Sequence, residues 1–276
     1  MGLKEELKGK LTEREIGFLK TSFDVIGDVV IIEIPDELRA REREIAKALM
    51  KVHPHIKTVL KKTSERLGEY RLRKFKVVAG KKTETEVIEH GCRFRLDVKK
   101  SYFSPRESTE RQRVAGETKP GDTVMVMFSG VAPYAVAIAK KQPRVGKVYA
   151  VEINPDAHKF AVENIRINKV GGKVIPICGD VNKSCVKFYG KCDRVIMPLP
   201  KEGHKFLPTA IKCLKKKGVI YFYYVGMKDQ LFQNAIDVAK MECNKLGKKM
   251  RIIDQRKVLP YGPSAFKICI KFEVKW

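Results

Sequence analysis

Hydrophobic and polar positions alternate along this chain in two different ways, and the change comes near residue 120. Before that point, short β-branched segments are separated by charged residues, a pattern that favours strands. Beyond it, short apolar segments alternate with longer amphipathic ones, which is typical of a parallel sheet covered by helices. The sequence therefore predicts two domains, residues 1–115 and 116–276.

In the first domain the pattern predicts a mainly β structure with one helix. Residues 23–33 are β-branched and are interrupted by Gly27-Asp28, as in a hairpin. A helix is expected after Pro35, with Asp36 as its N-cap. Further strands are predicted at residues 58–60, 70–79, 86–89 and 93–98.

Basic side chains recur along the later strands of this domain. Because side chains point alternately to the two faces of a strand, we expect several of them on one solvent-facing side. A basic sheet face suits a nucleic-acid backbone, although a charged face is most often simply solvated. The residues concerned are Arg71, Arg73, Lys74, Lys76, Arg93 and Arg95.

The second domain has the alternating pattern of a doubly wound α/β fold. Helices are expected at residues 134–140, 155–168 and 229–246. Strands are expected at residues 124–128, 147–152, 173–177, 194–197, 219–225, 251–258 and 266–274.

Charge indicates the class of partner. The chain has 57 Lys and Arg residues against 32 Asp and Glu, a net charge of +25. Such an excess repels itself in the folded state and attracts phosphate backbones through counterion release, which favours nucleic acid. The alternative is an organism whose proteins are generically basic.

Seven cysteines without a C-x-x-C pair support neither a disulfide framework nor a zinc knuckle. The regular spacing of Cys178, Cys185 and Cys192 fits buried thiols better than a metal site, so no metal is expected. No apolar run approaches the roughly 18 residues of a membrane helix. The charged N-terminus lacks an apolar signal core, and we expect a cytoplasmic protein that does not bind membranes.

A cofactor site is predicted where three strands end. The strand at 124–128 breaks into a turn at Ser129-Gly130, Glu152 ends the next strand, and Gly179-Asp180 ends the third. Glycine lets the backbone approach a ligand, and an acidic side chain in the second position can bind ribose hydroxyls. A second glycine for a pyrophosphate is missing, so an adenosine cofactor such as S-adenosylmethionine fits better than a dinucleotide.

Several short motifs resemble those of the archaeal and eukaryotic tRNA (guanine-37, N1)-methyltransferase family, in a short form without an additional N-terminal domain. They occur in family order from about residue 22 to the C-terminus. The matching motifs are Gly68-Glu69-Tyr70-Arg71, Tyr102-Phe103-Ser104-Pro105-Arg106 with Glu110-Arg111, Met127-Phe128-Ser129-Gly130-Val131, Ile153-Asn154-Pro155, Gly179-Asp180, and Met197-Pro198-Leu199-Pro200 with His204-Lys205-Phe206.

The resemblance implies a Rossmann-like class I methyltransferase domain preceded by a smaller, basic, β-rich α+β domain that helps to bind tRNA at the anticodon loop and stem, in a monomer. It assigns Glu110 as the general base for the guanine N1 proton, Arg71 as the cation near O6, and Pro198 to the segment that holds the base. For S-adenosylmethionine it implies Glu152 on the ribose and Asp180 near the adenine. The complete implied cofactor set is Tyr102, Arg106, Phe128, Ser129, Gly130, Val131, Glu152, Ile153, Asp180 and Val181.

Three positions depart from the family pattern. Val126 replaces an Asp, Ala132 replaces a Gly, and Pro198 replaces the Asn of an Asn-Leu-Pro motif. Alanine disfavours a positive φ, and Pro198 offers a substrate only its carbonyl oxygen. The Pro-Leu-Pro variant resembles the subgroup that also methylates a tricyclic wyosine precursor.

Two alternative functions are considered. A sister family transfers the aminocarboxypropyl arm of the same cofactor in wybutosine synthesis, but it lacks the Ser-Pro-Arg and Pro-Leu-Pro motifs. A tRNA-binding protein with a decayed cofactor site would account for Val126 and Ala132. An ion pair with Arg106 or Arg113 at the surface is the structural alternative for Glu110, and a phosphate contact is the alternative to catalysis for Arg71.

Overall fold

Two separately packed units make up the chain, Met1–Pro105 and Arg106–Trp276. The computed structural model describes residues 2–65, 68, 70 and 72–276. The domain boundary suggested by the sequence pattern, at residue 115, lies ten residues further along the chain than this division.

The first unit combines short helices with two small sheets. Its helices are α1 (Leu3–Leu7), α2 (Glu13–Phe18) and α3 (Glu42–Val52), and a 3-10 helix at Asp36–Arg41 leads into α3. Its strands are β1 (Phe23–Ile26), β2 (Val29–Ile32), β3 (Thr58–Lys62), β4 (Phe75–Ala79), β5 (Glu84–Glu89) and β6 (Cys92–Asp97).

A four-stranded sheet in the order β1-β2-β3-β4 forms the centre of this unit. The predicted hairpin is present, and Gly27 has a φ of +57° at its turn. A Cβ at that position would lie 2.4 Å from the Glu86 carbonyl oxygen, so the turn requires glycine. Strands β2 and β3 are parallel, and α3 connects them with Ile45, Ala46 and Leu49 fully buried.

Two details of the first unit differ from expectation. Asp36 does not cap an α-helix, because it is the first residue of the 3-10 helix and α3 begins only at Glu42. The strand expected at 70–79 is shorter, so Arg73 and Lys74 precede β4.

Three of the basic residues expected on one face lie on strands, Lys76 on β4 and Arg93 and Arg95 on β6, and these strands belong to two different sheets. Each of the three pairs with a carboxylate, Lys76 with Glu42 and both arginines with Glu86 across the β5–β6 hairpin.

The second unit is a seven-stranded sheet with helices. Its helices are α4 (Ser108–Gly116), α5 (Pro133–Lys141), α6 (Pro155–Ile167), α7 (Val181–Ser184), α8 (Leu207–Cys213) and α9 (Gln233–Lys245). Its strands are β7 (Thr123–Met127), β8 (Lys147–Glu152), β9 (Val174–Cys178), β10 (Cys192–Met197), β11 (Leu214–Met227), β12 (Lys249–Gly262) and β13 (Ala265–Lys275).

The strand order of this sheet is β12-β13-β11-β10-β7-β8-β9. Strands β7 to β11 are parallel, and β13 runs antiparallel to both β11 and β12. The chain thus starts with β7 in the middle of the sheet and goes through β8 to β9 at one edge. It then returns to β10 beside β7 and continues through β11 to β12 at the other edge, and β13 lies between β11 and β12. The alternating α/β pattern predicted for this domain is confirmed, and the reversal places the carboxyl ends of β7 and β10 at a topological switch point.

Candidate cofactor and active site

Three loops meet at the carboxyl edge of β7, β8 and β9. Because these strands are parallel neighbours, the residues that follow them lie at the same edge of the sheet. This brings together the predicted segments 128–131, 152–153 and 180–181.

The turn after β7 has an unusual backbone. Phe128, Gly130 and Ala132 have φ values of +55°, +55° and +66°. Ala132 thus adopts the left-handed conformation although it carries a Cβ, which is the backbone conformation that alanine disfavours. The neighbouring Val131 carbonyl accepts a 3.0 Å hydrogen bond from the buried Asn164 amide of α6, which helps to hold the strained turn.

Glu152 ties this turn to the next one. Its Oε2 accepts a 2.6 Å hydrogen bond from the Gly130 backbone N–H, and its Oε1 accepts a 2.9 Å bond from Asn154 N–H. Burial raises the pKa of Glu152, and hydrogen bonds from Asn154, Gly130 and Ile153 N–H only partly offset this effect. A carboxylate has about four lone-pair sites, so Glu152 retains room for a ribose hydroxyl.

Ser129 supports the presence of a ligand at this edge. Its side chain is 4% exposed, and its Oγ has no hydrogen-bond partner among the described residues. A buried hydroxyl without a partner costs free energy, so a cofactor that bonded to it would complete the site. The donor set therefore fits an adenosine-type cofactor.

The third loop presents Asp180 and Val181. The Asp180 side chain caps α7 by accepting a 3.2 Å hydrogen bond from Lys183 N–H, and Val181 is buried beside it. One Asp180 oxygen is used in this way, which leaves the other available to a ligand.

Glu110 lies on α4 and is 6% exposed. Arg113 holds it with two hydrogen bonds, from Nη2 to Oε1 at 2.6 Å and from Nε to Oε2 at 2.8 Å. The Tyr223 hydroxyl donates a third bond to Oε1, also at 2.6 Å. The ion pair with Arg113 considered from the sequence is therefore present, but it is buried instead of lying at the surface.

Arg113 is shared among several carboxylates. Burial acts to lower its pKa, but the hydrogen bond and charge of Glu110 outweigh burial and hold it above its ordinary value. Glu117 also pairs with Arg113 at 2.8 Å, and Asp254 lies 3.7 Å away.

Pro198 follows β10 and has a contact that the sequence did not indicate. Its carbonyl oxygen accepts a 3.2 Å hydrogen bond from the Lys267 ammonium, which also pairs with Glu107 at 2.7 Å. Both of these charged residues are 3% exposed. The sequence did not indicate this pair, because no local pattern shows that β13 and the turn before α4 bury opposite charges together.

The remaining predicted residues lie elsewhere. Arg71 lies outside the described residues. Tyr102 belongs to the first unit and has an exposed side chain, and Arg106 is the exposed first residue of the second unit. Val126, at the position where an Asp is usual, is fully buried in β7.

Neither a metal cluster nor a membrane-spanning helix is found among the described residues. In the part of the chain that the structure describes, no group of three His, Cys, Asp or Glu side chains is arranged to hold a metal. Cys185 and Cys192 are buried, whereas Cys178 is exposed. Over the same described residues, no helix combines the length and apolar character needed to cross a membrane.

Known proteins resemble the chain over both units. The model of the TRM5/TYW2 methyltransferase domain matches residues 85–253, and that of the TYW2 N-terminal domain matches residues 3–83.

Three relatives illustrate the range of activities. The tRNA (guanine(37)-N(1))-methyltransferase Trm5b of Pyrococcus abyssi is 42% identical, over 94% of this chain and 76% of its own. The tRNA (guanine(37)-N(1))/4-demethylwyosine(37)-methyltransferase Taw22 of Nanoarchaeum equitans is 38% identical, over 79% of this chain and 89% of its own. The tRNA(Phe) (4-demethylwyosine(37)-C(7)) aminocarboxypropyltransferase of Methanocaldococcus jannaschii is 35% identical, over 91% of this chain and 98% of its own.

Solved structures of two such methyltransferases have the same fold as this chain. Trm5b from Pyrococcus abyssi superposes with a TM-score of 0.87 at 41% identity, over 96% of this chain and 79% of that one. A complex of aTrm5 with tRNALeu gives a TM-score of 0.86 at 35% identity, over 99% and 78%. With its Rossmann-like sheet, its preceding β-containing unit and these matches, the chain belongs to the TRM5/TYW2 methyltransferase family.

Proposed function

We propose that this protein transfers a methyl group from S-adenosylmethionine to N1 of guanine 37 in tRNA. The observation that carries the proposal is the buried Glu152 carboxylate, which joins the two turns beside the unpartnered Ser129 hydroxyl. Membership of the family supports it, because the Pyrococcus abyssi relative is named for this reaction.

The cofactor site is formed by the three loops at the carboxyl edge of the sheet. Glu152 would accept hydrogen bonds from the ribose, Asp180 and Val181 would contact the adenine, and the turn at 128–131 would hold the methionine end. Arg106 and Ile153 would complete the set in this unit, and Tyr102 keeps the assignment that the family resemblance gives it. When bound, S-adenosylmethionine supplies an electrophilic methyl group on its sulfonium.

Glu110 is the general base in this proposal. Guanine N1 is a poor nucleophile while it carries its proton, so a carboxylate must take the proton as the N–C bond forms. In the structure the Glu110 carboxyl group is held by hydrogen bonds from Arg113 and Tyr223. Arg71, outside the described residues, is assigned to the charge that develops on O6.

The first domain helps to bind the tRNA, and the protein acts as a monomer on the anticodon loop and stem in the cytoplasm. The net charge of +25 supports a polyanionic substrate. The structure neighbour described as a complex of aTrm5 with tRNALeu has the same fold as this chain.

Pro198 favours a second substrate for the same chemistry. An Asn at this position would offer side-chain donors and an acceptor, whereas Pro198 offers only its carbonyl. That carbonyl already accepts a bond from Lys267. A base pocket with fewer fixed polar contacts is more tolerant of a tricyclic base, so we extend the proposal to methylation of a wyosine precursor, as in the name of the Nanoarchaeum equitans relative.

Nucleoside mass spectrometry tests the proposal directly. Unmodified tRNA transcript, and tRNA that carries the tricyclic precursor, are incubated with the protein and methyl-labelled S-adenosylmethionine. We expect labelled 1-methylguanosine from the first and a labelled methylated tricyclic nucleoside from the second. An aminocarboxypropyl adduct would instead assign the chain to the transferase named for the Methanocaldococcus jannaschii relative. No product with either tRNA would favour a binding protein with a decayed site.

A further inference from the structure

Tyr223 occupies a central place in the second unit, between Glu110 and the segment at Pro198. Its side chain is fully buried in β11, and its hydroxyl donates the 2.6 Å hydrogen bond to Glu110 Oε1. The Lys267 ammonium lies 4.9 Å from the centre of the same ring and donates to the Pro198 carbonyl. One aromatic side chain thus contacts both the proposed base and the lysine that holds Pro198.

We propose that Tyr223 is a positioning residue for methyl transfer, which fixes the Glu110 carboxylate so that its Oε2 receives the guanine N1 proton. This inference rests on the proposed function. It assigns no contact between Tyr223 and the substrate, because Tyr223 acts through Glu110.

The hydrogen bonds on Glu110 distinguish its two oxygens. Oε1 accepts bonds from Arg113 Nη2 and from the Tyr223 hydroxyl, which occupies both of its lone pairs. Oε2 accepts only one described bond, from Arg113 Nε. Without the Tyr223 hydroxyl each oxygen would accept one bond from Arg113, and the two oxygens would be nearly equivalent.

The surrounding charges allow Glu110 to become neutral during the reaction. The N1 proton moves to Oε2, the new N–CH₃ bond forms, and the sulfonium S–CH₃ bond breaks with its electron pair left on sulfur. Arg113 would then lose its Glu110 partner, but it keeps Glu117 at 2.8 Å and Asp254 at 3.7 Å. No buried cation is left unpaired by the proton transfer.

The two phenols and the thiol beside Glu110 stay protonated near neutral pH. Burial raises the pKa of Tyr134 and Tyr223 well above the ordinary range, and burial raises that of Cys269 to about 12. The charged neighbours are Glu107 just before α4, Arg111 and Arg113 on α4, Glu117 after α4, Asp254 on β12 and Lys267 on β13.

Tyr221 offers a matched control on the same strand. It is fully buried two residues before Tyr223, and its hydroxyl also donates to a carboxylate, Glu117 Oε2, at 2.8 Å. Tyr221→Phe and Tyr223→Phe each remove a buried hydroxyl that donates to a carboxylate, and only the Tyr223 hydroxyl reaches the proposed base. Each hydroxyl also accepts one bond, from Arg194 Nη1 at 2.9 Å for Tyr221 and from Tyr134 at 3.1 Å for Tyr223. A purely structural role would affect both variants alike.

The test compares single-turnover rates of 1-methylguanosine formation for both variants across pH 5–9, with saturating tRNA and cofactor. For Tyr223→Phe we expect the rate to fall about tenfold. This is less than the ~10²–10⁴-fold acceleration that a general base contributes, because Glu110 itself is still present. Cofactor affinity and the KM for tRNA should stay unchanged. Tyr221→Phe should keep the wild-type rate and pH profile.

A wild-type rate and pH profile for Tyr223→Phe would overturn the inference, and so would an equal loss in both variants. Should Tyr223→Phe fail to fold, Tyr134→Phe replaces it, because the Tyr134 hydroxyl donates at 3.1 Å to Tyr223. It should lower the rate in the same direction, and an unchanged rate would again reject the role. Failure of the proposed function appears separately, as wild-type protein that forms no 1-methylguanosine.

Discussion

At the scale of single residues, Glu110 shows how a carboxylate in an ion pair can still serve as a base. Three hydrogen bonds from Arg113 and Tyr223 hold the carboxylate in place, and two of them end on Oε1. Oε2 accepts one of the described bonds, so this oxygen keeps a lone pair that can take the guanine N1 proton.

Replacement of this carboxylate by its amide tests the assignment. Glu110→Gln should keep cofactor affinity and lower the rate of methyl transfer at pH 7 by about 10²-fold or more, because the amide cannot accept the proton. Single-turnover methylation and calorimetric titration with S-adenosylmethionine measure the two quantities. Glu117→Gln is the control, since Glu117 also pairs with Arg113 but has no proposed role in proton transfer. Equal rates for wild type and Glu110→Gln would remove Glu110 from the base role.

Glu152 predicts a pH dependence of cofactor binding. It must be ionised to accept ribose hydroxyls, and burial raises its pKa above the ordinary value. As the pH is lowered, affinity for S-adenosylmethionine should therefore begin to fall at a higher pH than it would with an exposed glutamate. Affinity should recover when the pH is raised again. Loss of a hydrogen bond to a charged group is worth about 1.5–3 kcal/mol, or roughly 10- to 100-fold in Kd. Calorimetry from pH 7 downwards checks this.

The control for that titration is Glu152→Gln. It should bind the cofactor weakly at pH 7, and its affinity should vary little over the same pH range. An equally steep pH dependence in this variant would show that another group is responsible. Circular dichroism at each pH confirms that the fold persists.

At the scale of elements, the sequence was most informative where hydrophobic periodicity coincides with burial. Strand β8 was predicted with its exact bounds, and α5 and α6 within one residue at each end. Helix α4 was not predicted, because its segment has no apolar stripe and buries the charged side chains of Glu110 and Arg111. Burial of charge depends on partners that are distant in the sequence, and a local pattern cannot show it.

The same reason explains why only part of the candidate site was found. The cofactor loops follow strands directly, so their positions could be predicted from the alternating pattern. Tyr223, Lys267 and Glu107 lie on β11, β13 and the start of α4, and they meet only through the strand order of the folded sheet. Nothing near them in the sequence distinguishes them from ordinary strand or surface residues.

The end of α6 gives a prediction for stability. Val170 N–H bonds to the Ile165 carbonyl and Lys169 N–H to the Arg166 carbonyl, the two bonds of a Schellman motif. Lys169 takes the position at which glycine is preferred, with a φ of +59°. The left-handed conformation costs about 1–2 kcal/mol for a residue with a Cβ, and glycine would remove this cost. Glycine is also more flexible in the unfolded chain, which reduces the gain in stability by about 0.5–1 kcal/mol. Lys169→Gly should therefore stabilise the protein by about 0.5–1 kcal/mol.

Urea denaturation measures this change, and Lys169→Ala serves as its control. Alanine removes the exposed side chain of Lys169 but keeps the Cβ, so it should leave the free energy of unfolding nearly unchanged. If alanine and glycine stabilised the protein equally, the gain would come from removal of a positive charge and not from relief of backbone strain.

At the scale of the whole molecule, the positive charge is distributed unevenly. Residues 1–105 contain 24 Lys and Arg against 17 Asp and Glu, a net charge of +7. Residues 106–276 contain 33 against 15, a net charge of +18. The methyltransferase unit, and not only the basic domain that precedes it, therefore has the charge excess needed to attract a phosphate backbone.

This excess predicts a steep dependence of tRNA affinity on salt. Each phosphate neutralised by Lys or Arg contributes about −0.7 to −0.9 to the slope of log K against log salt concentration, so about five such contacts would give a slope near −4. Filter binding from 50 to 400 mM KCl measures the slope, and S-adenosylmethionine affinity over the same range is the control, because it depends on a few buried groups. If tRNA affinity were independent of salt, the charge would reflect a generically basic surface, and recognition would have to rest on base and shape contacts alone.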